Sequence, residues 1–159
     1  MMNATNDPTS DPVKASGKGE ENLQRLILTM KPELVSGAFA FFCVSEADLA
    51  RFSSADIKVM VREAEGITVV LACDVAARYE LAVTNRFACI TLQVHSSLDA
   101  VGLTAVVASQ LAMSGISANV VAGYYHDHIY VAEADGPQAI ELLASLKPGV
   151  IDKYLGAGF

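Results

Sequence analysis

The stretch that decides the fold is residues 88–132, which read ACITLQVHSSLDAVGLTAVVASQLAMSGISANVVAGYYHDHIYVA. The even positions over 88–94 are all apolar, and this period of two predicts a strand with one face in a core. Residues 97–114 are predicted to form a helix that Gly115 ends. Alternation then returns on both sides of the loop 124–127, which predicts a hairpin.

A last helix completes this half of the chain. Asp135 can cap it, Pro137 is tolerated in its first turn, and one stripe of its surface is apolar. The stripe consists of Ala139, Ile140, Leu143 and Leu146. The order from residue 88 is therefore β-α-β-β-α, which is most of a ferredoxin-like α+β unit.

The pattern upstream of residue 88 is weaker. The predicted strands are 23–30, 37–44 and 67–72, and the predicted helices are 45–52, 56–65 and 74–81. Residues 1–22 carry almost no large apolar side chain, so burial cannot offset the entropy cost of ordering them. We therefore divide the chain into a disordered tail (1–22), an N-terminal unit (23–82) and a C-terminal unit (83–150).

Composition limits the class of protein. Of the 159 residues, 52% are hydrophobic and only 18% are charged, so the chain can build a core. The net charge is −7 and no window concentrates Lys and Arg, so we expect no nucleic-acid partner. The apolar runs are shorter than the roughly 20 residues that cross a membrane, and the sequence does not open on a secretory signal. We expect a cytoplasmic protein with no membrane partner.

The sequence offers no catalytic constellation. Its three cysteines, Cys43, Cys73 and Cys89, match no metal or redox spacing and are interpreted as small core residues. Cys89 and His95 share a predicted face but lie about 20 Å apart along it, too far for a thiolate pair. No phosphate-binding glycine loop, HExxH or GxSxG motif is present. We therefore predict a protein that is not an enzyme and uses no cofactor.

Several runs resemble a known family. Residues 101–103 (Val-Gly-Leu) and 115–117 (Gly-Ile-Ser), with Leu111 between them, resemble the signature of ACT domains. The longer runs 92–105 and 116–128 resemble small stand-alone tandem ACT-domain proteins. That group is related to aspartokinase regulatory domains and to CASTOR-type amino-acid sensors.

The resemblance implies ferredoxin-like βαββαβ units, two in tandem, the first degenerate. It also implies a non-enzymatic regulatory or sensor protein that binds an amino acid or a similar small molecule between adjacent units. The same resemblance implies a homo-oligomer, expected to be a dimer. The alternative is a dimerisation or docking module that binds no ligand.

A ligand site is predicted where the first strand of the C-terminal unit leads into its helix. The free N–H groups at a helix N-terminus suit a carboxylate, and an asparagine offers a donor and an acceptor to the polar end of an amino acid. The predicted ligand-binding residues are His95, Ser96, Ser97, Leu98, Asp99, Val101, Gly102, Asn119, Val120 and Val121. In the alternative interpretation, Ser96 and Ser97 only cap the helix, with Asp99 completing a capping box, and Asn119 only solvates an edge.

Three histidines, His95, His126 and His128, are predicted to lie at one end of the sheet. Three imidazoles can hold zinc with an open fourth position, whereas the alternative is a polar, hydrogen-bonded turn. We favour the turn and predict no metal site.

The helix predicted over 97–114 is apolar around nearly its whole circumference, so one stripe cannot be its only buried face. We expect its second face to be buried between ACT units, within the chain or across a dimer.

Overall fold

The computed structural model describes residues 19–155. In this part of the chain the strands are β1 (Pro32–Leu34), β2 (Phe39–Val44), β3 (Ile57–Arg62), β4 (Ile67–Ala72), β5 (Phe87–Leu92), β6 (Asn119–Ala122) and β7 (Asp127–Ala132). The helices are α1 (Leu23–Thr29), α2 (Glu46–Leu49), α3 (Cys73–Arg78), α4 (Leu103–Ala112), α5 (Gly136–Ala144) and α6 (Ile151–Leu155). Short 3₁₀ turns at Glu133–Asp135 and Pro148–Val150 lead into α5 and α6.

These strands form one antiparallel sheet in the order β3-β4-β2-β5-β7-β6, with β1 paired to β5 on the same side as β2. The first half follows the order β2, α2, β3, β4, α3, and the second follows β5, α4, β6, β7, α5. Strand β1 pairs with the edge of β5 that faces away from β7. A strand from the N-terminal part of the chain therefore occupies the position that the fourth strand takes in a βαββαβ unit. The prediction of ferredoxin-like units in tandem is confirmed.

The alternation in β5 separates the two faces of the sheet. Ala88, Ile90 and Leu92 are buried in the core beneath the helices of the second half, and Cys89 and Thr91 lie on the opposite face. Sequence period and tertiary packing agree here, so the predicted strand is confirmed.

The segment predicted as the strand 23–30 forms the helix α1, so that prediction was wrong. The Asn22 side chain caps this helix by accepting a hydrogen bond of 3.0 Å from the backbone N–H of Arg25. The residues that pack into the core of the second half have the helical spacing i, i+3, i+4, i+7 and are Leu23, Leu26, Ile27 and Met30. That spacing was the signal for a helix, and the predicted strand overlooked it.

The segment predicted as the helix 56–65 is the edge strand β3, and that prediction was also wrong. Every second residue in it is β-branched, which favours a pleated strand. Ile57 lies opposite Leu71 and Val59 lies opposite Val70, so Lys58 is the one extra residue of a β-bulge.

The helix α4 begins later than the predicted range of 97–114. Gly102, with a φ of 101°, is its N-cap, so the Ser96–Asp99 capping box does not form at the helix start. The side chains of Leu103, Val106 and other apolar residues lie in the core, and neighbouring helices α1, α5 and α6 cover further parts of the α4 surface. The predicted second buried face is therefore supplied by terminal helices of the same chain.

The face of the sheet opposite the helices carries its own apolar cluster, built around Phe39, Val70, Cys89 and Tyr130. Strand β3 lies four places from β7 in the sheet, which would put them about 19 Å apart if the sheet were flat. Side chains of both strands nevertheless line one cavity on this face. The cavity therefore takes its lining residues from both halves of the sheet.

Within residues 19–155, the helices are all too short or too polar to cross a lipid bilayer. Most of the tail predicted over 1–22 lies outside the described residues, which begin at Gly19. Residues 19–22 run beside the loop that follows β5, where Glu20 and Ser96 form an isolated β-bridge.

Candidate functional site

The loop between β5 and α4 borders a small pocket. The pocket has a volume of about 70 Å³ and lies where this loop, the start of α4 and the β6–β7 hairpin meet. Its lining residues are Ser96, Ser97, Leu98, Ala100, Leu103, Thr104, Ala122 and Asp127. Three residues of the predicted ligand-binding set therefore share one pocket: Ser96, Ser97 and Leu98.

Asp127 supplies a carboxyl group to this pocket. It begins β7 opposite Ala122, on the helix side of the sheet, and only 8% of it is exposed. Burial raises the pKa of Asp127, and the neighbouring His128 and His126 lower it by smaller amounts. A buried carboxyl group beside a pocket is costly to keep charged unless a cation or hydrogen-bond donors compensate it.

The start of α4 borders the same pocket. Leu103 and Thr104, the first two residues of this ten-residue helix, line the pocket. The first N–H groups of a helix have no carbonyl partner within it, and the helix dipole is positive at that end. The pocket therefore lies at a helix N-terminus and has a buried acid in its wall.

The loop is held from outside by the N-terminal segment. The backbone N–H of Glu20 donates to the His95 carbonyl oxygen at 2.9 Å, and the Ser97 N–H donates to the Glu20 carbonyl oxygen at 3.0 Å. A Cβ on Gly19 would lie 2.5 Å from the Ser97 nitrogen, so the two backbones are packed too closely for a side chain there. Residues 19–20 thus fix the position of the loop residues 95–97.

The remaining predicted residues of the loop lie around the pocket. The His95 ring packs against Tyr125 in a tilted arrangement, with 5.2 Å between ring centroids and 51° between ring planes. Asp99 is exposed, and its backbone N–H donates to the Ser97 hydroxyl at 3.2 Å. Val101 is 64% exposed, and Gly102 is the N-cap of α4.

The three predicted residues of β6 are not among the residues that line this pocket. Asn119 is paired with Tyr130, toward the other end of the hairpin from Ala122 and Asp127, and its side chain donates to the Tyr130 carbonyl oxygen at 3.3 Å. Val120 packs against the core beneath the helices, and Val121 packs against the cluster on the opposite face.

The three histidines are held by separate partners. His126 Nδ1 donates to the Val94 carbonyl oxygen at 3.1 Å, and His128 Nδ1 is hydrogen-bonded to the Thr91 hydroxyl at 2.9 Å. Over residues 19–155, no three His, Cys, Asp or Glu side chains converge in a way that could hold a metal ion.

Asp127 is the functional candidate that sequence reasoning missed. The period of two in β7 places it on the same face as Ile129 and Val131, which are fully buried. Acidic residues are rarely buried unless a partner or a function compensates the cost. The alternation in β7, which places Asp127 on the core side, was therefore the signal for a functional residue.

Comparison with known proteins gives two family matches along the chain. A model of the ACT domain matches residues 18–89, and a second ACT-domain model matches residues 86–145. Among curated proteins, no significant match is found.

Comparison with solved structures gives further matches. A protein of unknown function from Vibrio cholerae, described as a possible transport protein, is 46% identical, with a TM-score of 0.68, over 76% of this chain and 92% of that one. A protein from Agrobacterium tumefaciens is 19% identical, with a TM-score of 0.55, over 72% and 87% of the two chains. A structure of aspartokinase alpha and beta subunits is 10% identical, with a TM-score of 0.52, over 70% and 93%. The last two likenesses show a shared fold.

Proposed function

The chain belongs to the ACT-domain family, and on that premise we propose that it is a non-enzymatic regulatory or sensor protein that binds an amino acid. ACT domains typically bind amino acids in regulatory roles. The observation that carries the proposal is the buried carboxyl group of Asp127 in a pocket at the N-terminus of α4.

The chemistry of the pocket is complementary to a zwitterion. The α-carboxylate of the ligand would accept hydrogen bonds from the first N–H groups of α4, with the hydroxyls of Ser96 and Ser97 nearby. The α-ammonium group would pair with Asp127, and that pairing would offset the cost of burying the carboxylate. An amino acid is the simplest molecule that carries both charges on adjacent atoms.

The pocket is small, so we propose that the side chain of the ligand leaves it toward solvent or toward a second copy of the chain. Leu98 is 65% exposed beside the pocket. Strand β6 is the outermost strand on this side of the described sheet, and its last residue, Ala122, forms part of the pocket wall. We further propose a homodimer in the cytoplasm, in which an adjacent unit closes the site and in which Asn119, Val120 and Val121 belong to the contact edge.

The test is a thermal-shift panel of the common amino acids on the whole chain. A ligand that binds only the folded state stabilises it by RT ln(1 + [L]/Kd), about 2.7 kcal/mol at a hundredfold excess over Kd. At least one amino acid is expected to raise the Tm, and Asp127→Asn is expected to abolish that rise because the amide cannot pair with an ammonium group.

One control variant tests the contribution of the β6 edge. Asn119→Ala is expected to retain the shift if the ligand lies wholly in the Asp127 pocket and to lose it if the β6 edge contributes. A panel in which no amino acid changes the Tm would refute the proposal, as would an Asp127→Asn variant that responds like the original chain.

Exposed apolar side chains around the same loop favour a second candidate function, a docking module without a ligand. Leu98 and Val101 are about two-thirds exposed, and Tyr124 and Tyr125 of the neighbouring hairpin are also exposed. If this function is correct, size exclusion shows a dimer, Leu98→Ser with Val101→Ser weakens it, and the amino-acid panel gives no shift.

A further inference from the structure

A second cavity lies on the face of the sheet opposite the described helices. Its volume is about 200 Å³. Its lining residues are Val35, Phe39, Lys58, Cys89, Thr91, His128 and Tyr130. Successive side chains of a strand point to opposite faces, so Asp127 and His128 lead to different cavities and the two sites are separate.

Lys58 reaches this cavity because of the bulge in β3. As the extra residue between Ile57 and Val59, it is released from the regular alternation of the strand. Among the residues that line the cavity, Lys58 comes from the outermost strand, and this exposed side chain borders the side away from β5 and β7. Bulges commonly re-aim a side chain in this way beside functional sites.

The other end of the cavity is polar but neutral. Thr91 is buried, and its hydroxyl is hydrogen-bonded to His128. Burial lowers the pKa of His128, with smaller contributions of the same sign from His126 and Lys58 and an opposing one from Asp127. Its imidazole is therefore neutral at pH 7, and Lys58 is the positive charge of the cavity.

The walls between these polar groups are apolar. Phe39 and Tyr130 meet edge to face with 6.0 Å between ring centroids, and Cys89 and Val35 complete the wall. Burial raises the pKa of the Cys89 thiol, and the Tyr130 hydroxyl, Lys58 and Thr91 oppose that shift only in part. The thiol is therefore protonated at neutral pH and adds no charge.

Lys58 has no ion-pair partner in the described part of the chain. Glu33, which lies opposite Thr91 in the β1–β5 register, accepts a hydrogen bond from Gln93 Nε2 at 2.9 Å. None of the cavity-lining residues is Asp or Glu. A cavity with apolar walls, an exposed lysine at its border and a hydroxyl–imidazole pair suits a ligand with one negative end and an apolar body.

We propose that this cavity is a binding site for a small apolar carboxylate, whose anionic end lies between Lys58 and the Thr91–His128 pair and whose apolar body lies against Phe39 and Tyr130. The ligand class differs from that of the Asp127 pocket, since a second charge of the ammonium type would face Lys58 and be repelled. The chain then has two ligand sites, one on each face of the sheet.

The experiment is calorimetric titration of the whole chain with phenylacetate, compared with phenylacetamide and 2-phenylethylamine. Phenylacetate is expected to bind, the amide at least tenfold more weakly, and the amine without measurable heat, because only the first carries the charge that complements Lys58. Backbone amide NMR shifts on binding are expected in β3, β5 and β7.

Matched variants identify the partner. Lys58→Met keeps the apolar stem and is expected to weaken phenylacetate binding at least tenfold, whereas Lys153→Met, at an exposed lysine of α6, is expected to leave it unchanged. Asp127→Asn should also leave it unchanged, so failure here and failure of the amino-acid site are distinguishable. Absence of binding, equal binding of the amide, or unchanged binding to Lys58→Met would overturn the proposal.

Discussion

Phe39 of β2 and Phe87 of β5 are partners at the one register position that joins these two strands in the described part of the chain. Farther along the same edge of β5, Leu34 of β1 is paired with Ile90. From Leu34 to Phe39 the first segment advances five residues, whereas β5 advances only three from Ile90 to Phe87. The two extra residues form an irregular bend at which Gly37 takes a φ of 87°. The two halves of the sheet are joined at this bend.

The helix α1 offers a direct test of how the halves depend on each other. Leu26 is fully buried in the core of the second half, so Leu26→Ala is expected to cost about 2–5 kcal/mol of unfolding free energy. Leu28, on the same helix, is 66% exposed, and Leu28→Ala is expected to change it by less than about 0.5 kcal/mol. Urea unfolding followed by circular dichroism measures both. Equal effects of the two substitutions would contradict the packing of α1.

Asp127 should make stability depend on pH. Its pKa is raised above the usual 3.8, mainly by burial, so the folded protein binds the proton more tightly than the unfolded chain. This stabilising contribution is complete below the unfolded pKa and is lost as the pH rises through the folded one. Asp127→Asn is therefore expected to raise the Tm at pH 7, with a gain that shrinks as the pH falls toward 4. The loss of one negative charge is controlled by Asp99→Asn, at an exposed acid of the loop between β5 and α4, and a gain that does not vary with pH would contradict the prediction.

Gly136 tests the close approach of α5 to the sheet. A Cβ at this position would lie 2.8 Å from the Cβ of Ala88 in β5, and neither atom can rotate away. Gly136→Ala is expected to destabilise the fold by about 1–3 kcal/mol through overpacking. Gly149→Ala is the matched control, since a Cβ there has open space, and it is expected to be neutral or slightly stabilising. Thermal unfolding of both variants provides the measurement.

Glu80 has a φ of 59°, the left-handed conformation that costs most residues about 1–2 kcal/mol. Glycine takes this conformation without that cost but loses more chain entropy on folding. Glu80→Gly is therefore expected to stabilise the fold by about 0.5–1 kcal/mol. Glu80→Ala keeps the strain and should give no such gain, which chemical denaturation of the two variants will show.

The sequence predicts the second half of the fold well because local pattern and packing agree there. The even positions of β5 are apolar and lie in the core beneath the helices, as their period of two predicts, whereas Cys89 and Thr91 are buried on the opposite face. In the first half, β3 has one β-bulge and one exposed face, so its pattern is close to that of a short amphipathic helix. Its identity as a strand depends on pairing with β4, which is a tertiary interaction.

The candidate site could be predicted in part. Ser96 and Ser97 were found because they precede a helix, although the helix starts at Leu103 after the left-handed Gly102. Asp127 comes to the same pocket only because the hairpin folds back beside that helix. Asn119 lies away from this pocket because the hairpin register pairs it with Tyr130. The alternation of side chains along one strand does not predict that register.

The position of β1 separates it from its partner strand during synthesis. Strand β1 is synthesised before β2, β3 and β4, but the strand it pairs with, β5, follows more than fifty residues later. Cleavage between residues 82 and 83 would leave one fragment with an unpaired strand and the other with an open sheet edge and an uncovered core. The tandem units therefore cannot be separated into independent modules, and we expect them to fold, and to be lost to proteolysis, as a single unit.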